Sequence, residues 1–316
     1  MEATCPRQRT RAILQQRIAF LTRRNGVASS VVTSRRVSTR NSALSLAKTS
    51  QQPETPSGSP CLAPPLKWAG GKRWLVSTLQ PMFAAHENRR LVEPFCGGLS
   101  VVLGLRPERA LLNDHNPHLV NFYTQLQQGL AVTHHFKNDS TYYYMARTRF
   151  NRLIEQDQAN TPEAASLFYY LNRTGYNGLC RFNKKGFYNV PFGKYATLSY
   201  RPDFYDYRQE LAPWVFTNHD FEALVVTEND WVYADPPYDE SFTAYGAAGF
   251  SWADQERLAH WLAQLPCPVV LSNLATDRIV ALYKRMGFEL QFVQGPRSIS
   301  CNSNREAVCE VLAHKP

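Results

Sequence analysis

The run RLVEPFCGGLSVVLGLRPERALLNDHN, from Arg90 to Asn116, limits the possible folds more than any other stretch of the chain. Leu91 and Val92 suit a short buried strand, Gly97-Gly98 a tight turn, and Ser100 onward a helix. Ala110–Leu112 reads as a second strand. It leads to an acid, Asp114, and then to a helix with Leu119, Phe122 and Tyr123 on one face. Strand, Gly-rich turn, helix, strand and acid is the grammar of a nucleotide-binding βαβ unit and predicts an α/β fold. Glycines let backbone amides approach a ligand, the helix N-terminus faces it, and the acid accepts hydrogen bonds from ribose hydroxyls. EPFCGGLS is not GxGxxG, however, and many α/β proteins carry two glycines after a strand. Asp114 follows Gly97 by 17 residues, and no third glycine completes the dinucleotide fingerprint. The pattern points away from NAD and toward another adenosine compound, with S-adenosylmethionine the first candidate.

Two flanking regions extend the pattern. LKWAGGKRWLVSTLQPMF (Leu66 to Phe83) reads as a Gly-Gly turn followed by an amphipathic helix. Trp231–Ala234 reads as a strand that stops at Asp235-Pro236-Pro237-Tyr238. Proline has no N–H and holds φ near −65°, so the pair ends any ladder and stiffens the next few atoms. A rigid turn is the plain explanation of such a pair. SWADQERLAHWLAQL (Ser251 to Leu265) suits a helix with a Ser N-cap and acids in its first turn. Pro268–Ser272 suits another strand, and GFELQFV an edge strand.

Seven cysteines, an odd number with no CxxC pair, argue for a reducing compartment and against a disulfide framework or a zinc site. No apolar run approaches the ~18 residues of a spanning helix, so a soluble intracellular protein is expected. The net charge of +9 is unevenly placed. Residues 1–60 hold nine arginines and Lys48 against Glu2 and Glu54, which leaves +8 there and only +1 in the other 256 residues. Overall basicity therefore says little about the folded part. The first sixty residues are rich in Ser, Thr and Gln and read as a disordered basic tail. An organellar transit peptide, a mis-chosen start and an accessory tail are all compatible with that composition.

Between Ala164 and Pro202 no acid occurs, whereas Arg173, Arg181, Lys184, Lys185, Lys194 and Arg201 do. Aromatics interleave with them at Tyr176, Phe182, Phe187, Tyr188, Phe192 and Tyr195, and Asn183–Gly186 reads as a hairpin turn. A solvated basic loop would explain the charge. Six cations without an acid, inside an otherwise neutral domain, fit nucleic acid better: cations for phosphates, Asn and Arg for base edges, aromatics for stacking.

This substrate class gives Asp235 a task. An exocyclic amine on a base has its lone pair delocalised into the ring and is a poor nucleophile. A carboxylate and a fixed carbonyl that each accept one N–H pull the nitrogen toward tetrahedral geometry. Asp235 offers the carboxylate, Pro236 the carbonyl and Tyr238 a stacking face, with the prolines holding the acceptors in place. The base has to leave the duplex to get there.

KWAGGK (67–72), EPFCGGLS (93–100), NDHN (113–116), NRTGYNGLCRFNKKG with NVPFGKY (172–195), DPPY (235–238), FTAY (242–245) and RSIS (297–300) together resemble the DNA adenine methylase (Dam) family. They stand in the family's order and cover roughly residues 64–315. The resemblance implies transfer of a methyl group from S-adenosylmethionine to adenine N6 in double-stranded DNA, within GATC. It implies a Rossmann-like methyltransferase sheet carrying an inserted, mainly helical DNA-recognition domain with a β-hairpin. Core segments at 61–125 and 203–316 would then flank an insertion at 126–202. The implied cofactor-binding residues are Trp68, Ala69, Gly70, Lys72, Phe95, Gly97, Asp114 on the ribose, Asp220 and Phe221 about the adenine, and Asp235. The implied DNA contacts are Lys67 to an outer guanine, Tyr176 as a wedge, Asn177, Leu179 and Arg181 reading bases, Asn183, Pro191 on a thymine methyl, and Tyr195. No metal is implied, and the expected protein is a cytoplasmic, nucleoid-associated monomer. One departure stands out: only Asp239–Ser241 separate DPPY from FTAY, where the family's loop is usually longer.

Competing readings are separable. Cytosine-N4 methylation would use the same pocket, but those enzymes more often carry serine at the position of Asp235. Methylation of a protein glutamine or of RNA would more often show Asn there. A non-catalytic DNA-binding protein would have no need of Asp235 and Tyr238, and an NAD oxidoreductase lacks its fingerprint.

Overall fold

The computed structural model describes residues 62–132, 136–239, 249–296 and 308–316. The tail and the FTAY and RSIS runs lie outside the described residues.

Among the described residues, seven strands form one sheet: β1 (Arg90–Glu93), β2 (Ala110–Asn113), β3 (Trp214–Thr217), β4 (Asp230–Ala234), β5 (Val269–Leu274), β6 (Glu289–Gly295) and β7 (Val308–Lys315). Their order is β3-β2-β1-β4-β5-β7-β6, with β7 alone running antiparallel to its neighbours. The strand order reverses between β1 and β4, and in open α/β sheets ligands bind beyond the carboxyl ends of the strands at such a switch point. The GFELQFV segment is indeed the edge strand β6.

Adjacent residues on each strand serve opposite faces, as the two-residue period of a strand requires. Leu91, Leu112, Tyr233 and Val270 join the core on one face. Val92, Leu111, Val232 and Leu271 join the core on the other. The first face packs α1 (Val76–Ala84), α2 (Val102–Leu105) and α3 (Pro117–Gln127), together with α4 (Ser140–Glu155), α5 (Pro162–Thr174) and α6 (Tyr205–Leu211). The second packs α7 (Trp252–Gln264) and α8 (Asp277–Arg285). Helices on both faces of a mostly parallel sheet make this a Rossmann-like α/β fold.

Local chemistry sets several helix starts. Asn116 caps α3, its Oδ1 accepting from the backbone of His118 and Leu119, and Pro117 supplies the first helical φ. Ser251 and Asp254 form a reciprocal capping box on α7. The helix read from Ser100 onward shrinks to four residues, because Arg106 adopts φ 51° and closes it. The 174–195 segment contributes no strand to the sheet. α4 and α5 bury Tyr143, Phe150, Phe168 and Tyr170 between them and that segment.

Candidate active site and nucleic-acid interface

At the carboxyl end of β1 the chain turns through Phe95, Cys96 and Gly97. Gly97 has φ 45°, and a Cβ there would stand 2.7 Å from Trp68 Nε1, so both backbone and indole require glycine. Its N–H donates to Asp114 Oδ2 at 3.1 Å, and the Asn116 N–H donates to Oδ1 at 2.9 Å. Burial pushes the Asp114 carboxyl up, and these two bonds oppose the push. Trp68 on the Gly97-Gly98 turn, with Asp114 beneath it, thus assembles three of the expected cofactor residues. Ala69 is half-buried, and Gly70 (φ 76°) is exposed with nothing near its missing side chain.

A wall of aromatics completes this end. The Phe95 ring lies 5.8 Å from Phe221 and 5.6 Å from Phe250. Phe221 follows Asp220, whose carboxylate is held bidentately at 2.9 Å by Arg257, which lowers its pKa. Arg257 also lies 4.3 Å over the Phe221 ring. Neither Phe250 nor Arg257 stands out in the sequence, since Arg257 meets Asp220 across 37 residues and reads locally as a polar helix position.

Asp235 sits just beyond β4, next to this crevice. Ser272 Oγ donates to its Oδ1 at 2.9 Å and is itself bonded to the Tyr233 hydroxyl at 2.8 Å. The Lys72 ammonium lies 2.9 Å and 3.0 Å from the two carboxylate oxygens and donates to the Gly70 carbonyl at 3.1 Å. Lys72 is only 3% exposed, so a residue expected to line the cofactor is found buried against the carboxylate. Pro236 is buried. The next carbonyl, that of Pro237, accepts from Gln255 Nε2 at 2.8 Å, and Asn273 steadies Gln255 at 3.1 Å. The Tyr238 ring lies 4.7 Å from the Lys72 ammonium. Asp239 is paired with Arg278, which ties the residue after the motif to the start of α8.

The cationic segment lies apart from these strand ends in sequence. Asn183–Gly186 closes its turn: the Asn183 N–H donates to Phe187 O at 2.9 Å, and Asn183 Oδ1 accepts from the N–H groups of Lys185 and Phe187. The flanks meet in isolated bridges, Phe182 with Tyr188 and Gly175 with Phe192, rather than in a continuous ladder. Tyr176 and Asn177 are exposed, Asn177 with φ 53°. The Tyr176 N–H donates to the carbonyl of the exposed Pro191 at 2.9 Å, so the two neighbour each other. Leu179 is half-buried. Arg181 Nε donates to Asn189 Oδ1 at 2.7 Å, and Lys184 and Lys185 are exposed. Lys67 comes to this segment from more than a hundred residues away. Its ammonium lies 3.6 Å from the Tyr195 ring centroid and donates to the Arg173 carbonyl at 3.0 Å. Burial, and secondarily Arg173, push it down to about 8.

Known proteins resemble this chain over most of its length. The family model of the D12 class N6 adenine-specific DNA methyltransferase matches residues 68–299. A DNA adenine methylase of Vibrio cholerae is 37% identical over 270 residues, covering 78% of this chain and 94% of that protein. One of Escherichia coli is 36% identical over 274 residues, covering 79% and 95%. A type II methyltransferase of Lactococcus lactis subsp. cremoris is 31% identical over 275 residues, covering 79% and 94%. The chain belongs to the adenine-specific DNA methyltransferases of the D12 class.

A methyltransferase of this class acts on DNA, with S-adenosylmethionine as the methyl donor. The residues present fit that cofactor. Glu93 Oε1, at the end of β1, is buried without a hydrogen-bond partner among the described residues, and burial together with the Asp235 charge raises the carboxyl well above its usual range. A cationic ligand group satisfies such an oxygen. Each Asp114 oxygen accepts one backbone N–H, which leaves lone pairs for hydroxyl donors. No motif assigns Glu93 a role; its place in EPFC, at a strand end, is the available signal.

Proposed function

We propose that this methyltransferase modifies adenine N6 within GATC in double-stranded DNA, by taking the adenine out of the duplex into the pocket at Asp235–Tyr238. The observation that carries this reading is the double restraint on Asp235 at the carboxyl end of β4, beside a crevice suited to an adenosine cofactor. Trp68, Ala69, Gly70, Phe95, Gly97, Asp114, Asp220 and Phe221 would hold the cofactor, with Glu93 toward its positive end. When bound, that cofactor supplies an electrophilic methyl group on a sulfonium.

The protein's own groups do the rest. Asp235 accepts one N–H of the adenine amine and the Pro236 carbonyl the other, which returns the lone pair to nitrogen. Fixed acceptors need no reorganisation as positive charge develops there. No side chain need act as a base before the amine nitrogen takes the methyl group, whose bond to sulfur would break as the N–C bond forms, and water takes the proton afterwards. Tyr238 stacks on the base.

Sequence choice falls to the 174–195 segment. Tyr176 enters the duplex, Asn177, Leu179 and Arg181 read base edges, and Pro191 meets a thymine methyl. Lys67 reaches an outer guanine from beside Tyr195, while Asn183 shapes the turn that presents the cations to phosphates. DNA from an expressing host, sequenced for modified bases in context, should carry N6-methyladenine at GATC. Modification confined to another sequence, or to cytosine, overturns the reading.

A further inference from the structure

Lys72 and the target amine compete for the same oxygens. The ammonium spans both oxygens of Asp235, and Ser272 takes a further site on Oδ1. Oδ2 keeps one lone pair, but the ammonium already stands 3.0 Å from that oxygen, so an adenine N–H that shares Oδ2 crowds and weakens the Lys72 contact. The side chain cannot retreat into water, being 3% exposed, and a buried ammonium that loses its counter-charge is strongly disfavoured.

The structure holds a second place for that charge. Glu310, on β7, is buried, and its Oε2 lies 3.9 Å from the Lys72 ammonium, beyond hydrogen-bond reach. That same Oε2 has no hydrogen-bond partner among the described residues. Buried carboxylate oxygens are rarely left so. A shift of about 1 Å by the ammonium would turn this contact into a charge-assisted hydrogen bond. The Glu310 carboxyl is also hydrogen-bonded by Tyr238, so the acceptor and the proposed stacking ring belong to one network. Glu310 meets Lys72 across more than two hundred residues, and only the insertion of β7 between β5 and β6 brings it there.

We propose that Glu310 is a positioning residue that receives the Lys72 ammonium when the target amine displaces it from Asp235. Lys72 then acts as a movable counter-ion: it pairs with Asp235 before the base arrives and frees its oxygens afterwards. This rests on the reading of Asp235 as the acceptor of the amine.

The test compares Glu310→Gln, Lys72→Met, the double variant and Asp235→Asn, all in the full chain. Turnover, KM for a GATC duplex, cofactor and DNA Kd, and melting temperature are measured for each. Glu310→Gln keeps the shape and removes the charge, so kcat should fall about tenfold or more while KM and both Kd values stay within about twofold. In the Lys72→Met background the same change should cost almost nothing further, because no ammonium remains to be received. Glu310→Asp, which keeps the charge on a shorter stem, should recover part of the loss. If Glu310→Gln does not fold, Glu310→Asp decides instead: an intermediate kcat at unchanged KM supports the proposal. A folded Glu310→Gln with normal kcat, losses that add in the double variant, or wild-type kcat in Glu310→Asp when it must decide would each overturn it. Asp235→Asn separates the two levels. Its retention of turnover removes the reading of Asp235, whereas its inactivity beside a normal Glu310→Gln removes only the role of Glu310.

Discussion

The surroundings of Asp235 and those of Arg181 are built on opposite principles. Asp235 is braced by residues distant in sequence: Lys72 is 163 residues away, and Ser272 is 37. Arg181 is held by Asn189, eight residues along the same turn, among the exposed Lys184 and Lys185. One region belongs to the sheet and its buried polar network; the other is a locally closed, solvent-facing cationic loop. The difference teaches where tolerance lies. On the function proposed above, Arg181 can change without disturbing the core, so target choice is separable from chemistry. The acceptor cannot be moved without moving β4, β5 and the segment before α1.

The comparison is most sharply broken at Asp235. Asp235→Ala should keep duplex binding, lower the melting temperature by leaving the buried Lys72 ammonium without its main partner, and cut turnover by at least ~100-fold, because a preorganised acceptor is lost. Near-normal turnover in single-turnover assays would show that this carboxylate is not the acceptor.

The next largest effect is expected in the loop. Arg181→Ala should cost ~1–3 kcal/mol against the cognate site and relax discrimination at one base, as loss of a bidentate guanine contact does. If Lys184 meets a phosphate, Lys184→Ala should weaken all sequences alike and lower the salt slope by about one unit. Binding to GATC and to its single-base variants at several salt concentrations separates the two. Equal loss on every sequence for both variants would remove Arg181 as a reader.

The smallest effect concerns Lys67, whose pKa is lowered to about 8, first by burial and then by Arg173. Its charge is present below that value, so affinity for GATC duplex should decline as pH rises through about 8. Lys67→Arg stays charged and should flatten the decline. Folding stability should move oppositely. The unfolded chain holds the proton up to about 10.5, so stability rises with pH between about 8 and 10.5. A wild-type affinity that is level from pH 7 to 9 would exclude Lys67 from the interface.

Legibility tracked the range of the forces involved. The β1–turn–α2–β2 unit could be read because strand alternation, the φ of Gly97 and the Asn116 cap act within a few residues of one another. The cap on α7 was readable for the same reason. The extent of α2 was not, since nothing in its composition announces the left-handed Arg106. Motif order singles out Asp235 and the cationic segment, and also Lys72, without saying what that lysine touches. Its burial against Asp235 depends on how the segment before α1 crosses the switch point.

By itself, then, the sequence determined the α/β class, the crevice residues at the ends of β1 and β2, the stop after β4 and the cationic loop. Each is written in periodicity, glycine and proline placement, or local charge. Tertiary structure alone decided that Lys72 and Glu310 flank Asp235, that Arg257 holds Asp220, and that Lys67 joins Tyr195. Those pairings form between distant stretches of chain. Strand order and helix packing create them, through burial that leaves a charged group no partner but the one the fold delivers.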